Sequence, residues 1–144
     1  DGSIELNYSF KIPDYAIVGE KEIVFVPMAF NKLFPGQQKQ LAIDTSIKAR
    51  KHPFRESCSR LVEIEETLKL SLPLEIVSQP NPADVNGAGA SWSKSLSLDG
   101  NTMKITQKAI FNKRIYQPED WSSYRAAVLA QKKVALEPII LKKK

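Results

Sequence analysis

The chain opens on a regular alternation of apolar and polar residues. From Ile4 to Ile12 every second residue is apolar and those between are polar, which predicts a strand with one face on a core and the other in water. Residues 22–28 are apolar at almost every position, which predicts a strand buried on both faces. Shorter strands are expected at 15–18 and at 41–47, the latter after a loop at 33–38.

The longest alternating segment covers residues 62–72 and ends before Pro73. Its even-numbered positions are apolar except for Glu66, and the pattern predicts a long amphipathic strand. A carboxylate on the apolar face of a strand needs a special environment. We therefore expect Glu66 to lie at a sheet edge, at a bulge, or beside a partner such as Arg50 or Arg60.

A hairpin is predicted after a loop rich in Pro, Asn, Gly and Ala. Apolar and polar residues alternate over 92–98 and again, less strictly, over 103–111. Between the two runs stand Asp99, Gly100 and Asn101, which are residue types that tolerate a positive φ. The segment 92–111 therefore predicts two antiparallel strands joined by a tight turn.

One helix is predicted, over residues of about 118–135. Pro118 suits the first turn, and the two acidic residues after it complement the helix dipole. Apolar residues recur at helical spacing from Trp121 onward, and Pro138 bars continuation of the helix. Residues 139–141 predict a last strand before the terminal lysines.

Strands separated by turn signals and followed by one late helix favour an all-β fold with mostly antiparallel pairing. We predict an immunoglobulin-like β-sandwich in which the C-terminal α-helix covers a sheet edge or one end of the sandwich. The 144 residues form a single domain (1–144), with 1–49 supplying the N-terminal strands. No apolar run approaches the ~20 residues that a membrane span needs, so membrane insertion is not expected.

Composition and charge exclude several classes of function. One Cys and one His cannot assemble a zinc site or a disulfide, so we expect no metal and no cofactor. The net charge of +5 shrinks to +2 when the last three lysines are set aside, leaving 18 basic against 16 acidic residues. A basic cluster remains before the long strand, but without a nucleic-acid-binding signature we predict no nucleic-acid partner. Its members are Lys48, Arg50, Lys51, Arg55 and Arg60.

Cys58 and His52 are the first candidates for catalysis, because an imidazole can activate a thiolate. Both lie in one short segment that enters a strand, and no helix end is predicted nearby to lower the pKa of the thiol. We therefore expect Cys58 to be a small residue near the core and predict no catalytic residue in this chain.

The candidate binding surface consists of Glu63 and Glu65 with Trp92. The two carboxylates project from the polar face of one strand, ~7 Å apart by the strand rise. They could bind a glycan or a cation, although a solvated strand face explains them equally well. Trp92, like Trp121 and Tyr124, occupies an apolar register, so core packing is its default role and a stacking role requires exposure.

From Arg50 onward the order of features resembles a known arrangement. The features are Arg50 with Pro53 and Phe54, the long strand ending at Leu72 and Pro73, a Pro-containing loop, the 92–111 hairpin, the segment from Tyr116 to Arg125 leading the helix, and the closing residues 138–143. The chain is similar to the domain of unknown function that follows the transglutaminase-like core in large bacterial proteins, especially of the Bacteroides group. The resemblance covers 50–144, and 1–49 fit as preceding strands of the same sandwich.

The resemblance implies a non-catalytic accessory domain that packs against an adjacent transglutaminase-like domain and helps to position that domain or its partner. It also implies a periplasmic or extracellular location, and it carries no catalytic residue over to this chain. The missing initiator Met fits a piece of a longer protein. Two alternatives stay open: a glycan- or peptide-binding module of the cell envelope, and an enzyme that uses Cys58 and His52.

Overall fold

A computed structural model describes residues 12–28 and 42–143. The strand predicted at 4–12 therefore lies outside the described residues except for its last position, and the loop predicted at 33–38 lies outside them entirely. The described elements are, in chain order, β1 (Ile17–Val18), β2 (Glu22–Phe25), β3 (Phe54–Arg55), β4 (Arg60–Lys69), β5 (Leu74–Ser78), β6 (Val85–Asn86), β7 (Ala90–Asp99), β8 (Thr102–Phe111), β9 (Ile115–Tyr116), α1 (Trp121–Leu136) and β10 (Ile139–Lys143).

The described strands form two four-stranded sheets and a two-stranded ribbon. The first sheet has the order β1-β2-β10-β5, the second has the order β4-β8-β7-β6, and β3 pairs with β9. Every pairing between described strands is antiparallel. The mostly antiparallel β-sandwich with one C-terminal helix is confirmed.

The second sheet is built on three ten-residue strands, β4, β8 and β7, in uninterrupted register. The predicted hairpin is confirmed as β7 and β8, with Gly100 at a φ of 55° in the turn. Because side chains alternate along a strand, one face of this sheet carries the buried residues. This buried face includes Ile64, Ile105 and Ala109.

The long strand ends three residues earlier than the alternation predicts. Lys69 pairs with Thr102, the first residue of β8, so the chain beyond it has no neighbouring strand in this sheet. Leu70 then donates its backbone N–H to Asn101 O over 2.8 Å. The chain then bends, and β5, for which no strand was predicted, joins the first sheet beside β10.

The strand predicted at 22–28 is shorter and more exposed than expected. It ends at Phe25, which is its one buried residue, while Ile23 and Val24 are half-buried and Glu22 is exposed. The prediction of burial on both faces was therefore wrong. The neighbouring strand β1 contributes only two residues. Because β1 is so short, Val24 is left on the wall of an open groove.

Residues 42–47 do not form the strand that their pattern suggested. They lie along α1, and long side chains of the helix bind their backbone carbonyls in place of a strand partner. The three hydrogen bonds run from Lys132 Nζ to Ile43 O (3.0 Å), from Arg125 Nε to Thr45 O (2.7 Å) and from Trp121 Nε1 to Ile47 O (2.9 Å). The donors lie on α1, so the helix satisfies backbone carbonyls that a neighbouring strand would otherwise bind.

The predicted helix is confirmed as α1, preceded by a 3-10 turn at Pro118–Asp120. Its buried face includes Tyr124, Ala127, Val128 and Val134, and it contacts β6 and β7. Since β6 is the last strand of its sheet among the described residues, the helix lies beside that end of the sheet. The described part of the chain contains no helix that combines the length and the apolar character needed to cross a membrane.

Candidate functional site

Glu63 and Glu65 lie on the solvent face of the second sheet, as their register predicted. Glu63 stands opposite Lys108, and the two side chains form an ion pair of 2.6 Å. Glu65 binds Lys104 over 2.9 Å. Both pairs are exposed, so each contributes at most about 1 kcal/mol to stability. The carboxylates are therefore neutralised across the strands rather than presented as a free acidic pair.

Trp92 does not share that surface. Ser93 is in register with Lys108 and hence with Glu63, so its neighbour Trp92 projects from the opposite face of the sheet. The side chain is 1% exposed and belongs to the core. The candidate surface of Glu63, Glu65 and Trp92 is therefore divided between the two faces of the sheet, and Trp92 follows its core-packing default.

Four further aromatic residues form a cluster around Tyr124. Trp121 stacks on Tyr124 with ring centres 5.8 Å apart, and Phe54 approaches both rings edge-on. Phe111 and Tyr116 complete the cluster. Burial of Trp121 and Tyr124 confirms core packing for these residues and leaves them unable to serve as a stacking platform.

Arg50, which belongs to the basic cluster, is part of this aromatic packing. Its guanidinium lies 4.4 Å from the ring centres of both Phe54 and Trp121, an arrangement that attracts a cation to the aromatic faces. Lys48 and Lys51 remain exposed. The cluster therefore includes a structural residue that its sequence spacing did not distinguish.

Glu56 is held between Tyr124 and Arg60. The Tyr124 hydroxyl donates to Glu56 Oε1 over 2.6 Å, and Arg60 Nη2 lies 3.9 Å from Glu56 Oε2. Burial, followed by the bond to Glu56, raises the pKa of Tyr124 far above its usual range. The group ties β4 to the helix and gives Arg60 a structural role.

Cys58 is exposed, so its predicted place near the core was wrong. It lies in the connection between β3 and β4, where the chain runs over the surface. Its Sγ is 3.7 Å from Arg60 Nη2, and His52 is also exposed. No group of three or more potential metal ligands occurs within residues 12–28 and 42–143.

Glu66 has the partner that its position required. The Tyr15 hydroxyl donates to Glu66 Oε1 over 2.7 Å and accepts the backbone N–H of Met28 over 3.1 Å. The register between β4 and β8 contains no bulge, and β4 is the outermost described strand of its sheet. The paired carboxylate is confirmed, and Tyr15 is a donor that the sequence did not suggest.

A groove with apolar walls lies beside the contact of Tyr15 with Glu66. We call it the apolar groove and define it by Ile12, Ile17 and Leu136, which line a space of about 620 Å³. Ile17 is 75% exposed and Leu136 is 74% exposed. The sequence pattern missed this surface because it placed 15–18 in a strand without showing which side is covered. The one available signal was Leu136, which follows the last buried residue of α1.

A second groove lies between α1 and the segment 82–88. We call it the helix groove and define it by Ser122, Ala126 and Leu129 on one wall and by residues 82–88 on the other. Its space is about 800 Å³, and Asp84 and Glu119 lie on its rim. The two grooves have no lining residue in common.

Comparison with known families assigns the fold to a family. The family described as "Domain of Unknown Function with solved-structure structure (DUF3858)" matches residues 21–141. The chain belongs to the DUF3858 family. This membership confirms one part of the resemblance, namely that the chain is a domain of unknown function. The family description assigns no activity. No curated protein matches the chain.

A solved structure shares the DUF3858 fold seen here. It is the crystal structure of a "putative protease" from Parabacteroides distasonis ATCC 8503, with a TM-score of 0.66, 12% sequence identity and 85% of this chain covered. At that identity the likeness is one of fold. The chain spans 24% of the length of that protein, so the shared fold is one part of a longer polypeptide there.

Proposed function

We propose that this domain is a non-catalytic accessory domain of a longer protein, and that its apolar groove packs against a neighbouring transglutaminase-like domain. The packing would position that domain or its partner. The observation that carries the proposal is the pair Ile17 and Leu136, each about three-quarters exposed, on the wall of one groove.

Exposed apolar residues scattered singly are ordinary, whereas a contiguous group marks a surface that another structure covers. Ile12 and Ile17 come from the N-terminal segment and Leu136 from the end of α1, and the three meet in one groove. Burying an aliphatic side chain of this size stabilises a complex by roughly 1.5–3 kcal/mol. The groove therefore supplies apolar anchors of the kind found at the centre of domain interfaces.

Two observations support a neighbour within the same polypeptide. The fold occurs in the Parabacteroides protein as about a quarter of a longer chain. The order of features from Arg50 to the C-terminus resembles the domain that follows a transglutaminase-like core. A periplasmic or extracellular location belongs to the same proposal and comes from the resemblance alone.

The proposal is tested in the protein that carries the neighbouring domain. Ile17→Asp with Leu136→Asp places two charges on the groove, and Leu61→Asp with Val77→Asp places two charges on exposed apolar residues elsewhere. We expect the first pair to lower the unfolding temperature of the neighbouring domain and its peptidase or crosslinking activity, as deletion of the whole accessory domain would. The second pair should leave both unchanged.

Equal activity and equal unfolding temperature after deletion of the domain would contradict the accessory role. Circular dichroism of each variant distinguishes loss of the interface from loss of the fold. Since Ile17 and Leu136 are largely exposed, both substitutions should preserve the fold.

The binding-module alternative divides into two parts. Glycan binding through a tryptophan platform loses its basis, because Trp92 and Trp121 are each 1% exposed. Peptide binding keeps a separate observation, which is the helix groove with the sheet edge beside it.

A further inference from the structure

Among the described residues, β6 has a strand neighbour on one side alone, which is β7. Gly87 donates its N–H to Ala90 O over 3.1 Å, so Gly87 and Ala90 form a hydrogen-bonded pair. Hydrogen-bonded and non-hydrogen-bonded pairs alternate along an antiparallel ladder. Asn86, opposite Ser91, therefore directs its N–H and C=O away from β7. Such groups on an outer strand are a template for a further strand.

The wall formed by residues 82–88 is anchored to the rest of the domain at Gly87 and Ala88. A Cβ on Gly87 would lie 2.1 Å from the Cβ of Ser123, so only glycine permits this approach of the loop to α1. Asn112 Nδ2 donates to Ala88 O over 3.1 Å. A groove with fixed walls loses little conformational entropy on binding.

The opposite wall suits alternating side chains of an extended peptide. Ser122 and Ala126 are small, which leaves room beside the helix, and Leu129 is 38% exposed and offers an apolar contact. Successive side chains of a strand point to opposite sides. A peptide paired with β6 would therefore direct every second side chain towards the helix and the others towards solvent.

The charge on the rim indicates which peptide fits. Asp84 and Glu119 are exposed and form no ion pair with any residue in the described ranges. Asp120, by contrast, binds Lys113 over 2.7 Å. Lys133, the basic residue of the groove, lies 3.9 Å from Glu137. Two uncompensated carboxylates favour a ligand with positive charge.

We propose that the helix groove binds an extended peptide segment bearing lysine or arginine, by addition of a strand to the edge of β6 that no described strand occupies. The backbone of Asn86 would supply the hydrogen bonds, Leu129 the apolar contact, and Asp84 with Glu119 the charge selectivity. The helix groove and the apolar groove share no residue, so each proposal stands without the other.

The test is a titration of the isotope-labelled chain, followed by amide chemical shifts in NMR spectra. The probe is a capped seven-residue peptide that alternates lysine and valine. Two comparison peptides replace the lysines by glutamates or carry N-methyl groups at alternate backbone nitrogens. We expect shifts at residues 84–88 and on the exposed stripe of α1, and a Kd at least tenfold weaker for each comparison peptide.

Protein variants separate the groove from general charge attraction. Asp84→Lys with Glu119→Lys should weaken binding of the lysine peptide at least tenfold. The matched control, Glu20→Lys with Asp99→Lys, changes the net charge equally at exposed positions outside the groove and should alter Kd by less than twofold. The comparison peptides keep the proposal falsifiable if a protein variant fails to fold.

Three results would overturn the proposal. One is equal affinity for the lysine and glutamate peptides. Another is equal affinity for the N-methylated and unmodified peptides, since strand addition requires the backbone hydrogen bonds. The third is a concentration-dependent shift of Asn86 and its neighbours without peptide, which would assign the edge to a second copy of the chain.

Discussion

The guanidinium of Arg50 lies 4.4 Å from the ring centre of Trp121, which is the first residue of α1. The same guanidinium lies 4.4 Å from the ring centre of Phe54, which belongs to β3. Because Arg50 follows the segment that lies along the helix, this stacking fixes the end of the segment, while the Trp121 indole fixes Ile47 by a hydrogen bond. One tryptophan thus holds two points of the chain.

Replacing Arg50 should therefore destabilise the domain. We expect Arg50→Ala to lower the free energy of unfolding by about 1–2 kcal/mol, the range for a partly desolvated cation on aromatic rings. Arg50→Lys should recover only part of the loss, because an ammonium cannot stack as a planar guanidinium does. Urea denaturation measures both, and full stability of the alanine variant would show that the stacking contributes nothing.

The Tyr15 hydroxyl should matter through its bond to Glu66. Tyr15→Phe removes a donor to a half-buried carboxylate, which we expect to cost about 1–2 kcal/mol of unfolding free energy. Glu66→Gln keeps the shape of the side chain and should cost less, since it removes the buried charge as well. Equal stability of wild type and Tyr15→Phe would contradict this role.

Asp120 should make stability depend on pH. The bond from Lys113 lowers the pKa of the carboxyl below its ordinary value of 3.8, and the Gln117 N–H adds to this effect. Its stabilising contribution is complete above the ordinary value and is lost as the pH falls through the lower, folded value.

Asp120→Asn should accordingly cost about 1 kcal/mol at neutral pH and much less near pH 2. Glu20→Gln, at an exposed position without an ion pair to described residues, is the control and should change nothing beyond about 0.5 kcal/mol. A difference between wild type and Asp120→Asn that is the same at both pH values would exclude the ionised carboxylate as its cause.

Exposure of Cys58 predicts reaction in the native state. A thiol reagent added without denaturant should modify one thiol per chain, and Cys58→Ser should change the unfolding free energy by less than about 0.5 kcal/mol. If modification required denaturant, Cys58 would be buried in the core, as the sequence analysis expected.

Periodicity of the sequence predicted the elements in which one face is apolar and the opposite face is polar. The β7–β8 hairpin was predicted because two alternating runs flank Gly100, and α1 was predicted because a helical pattern runs from Trp121 until Pro138 bars it. Glu66 was singled out for the same reason, since it interrupts a regular face. Its partner Tyr15 was not predicted, because 51 residues of sequence separate the two.

Tertiary contacts decided what the pattern could not. Residues 42–47 alternate as a strand would, but Arg125 and Lys132 satisfy their carbonyls from the helix. Cys58 was placed in the core from its residue type alone, whereas its connection runs over the surface. Both grooves depend on which segments meet in space, and a linear pattern contains no information on that.

The most direct test of the accessory role is amide hydrogen exchange across the apolar groove. The measurement compares residues 12–18 and 133–138 in the isolated domain and in a longer protein that includes the proposed transglutaminase-like neighbour. Slower exchange of both segments in the longer protein, with no change over the exposed face of Glu63 and Glu65, is the predicted result. Identical exchange of both segments in the two proteins would contradict the proposed packing.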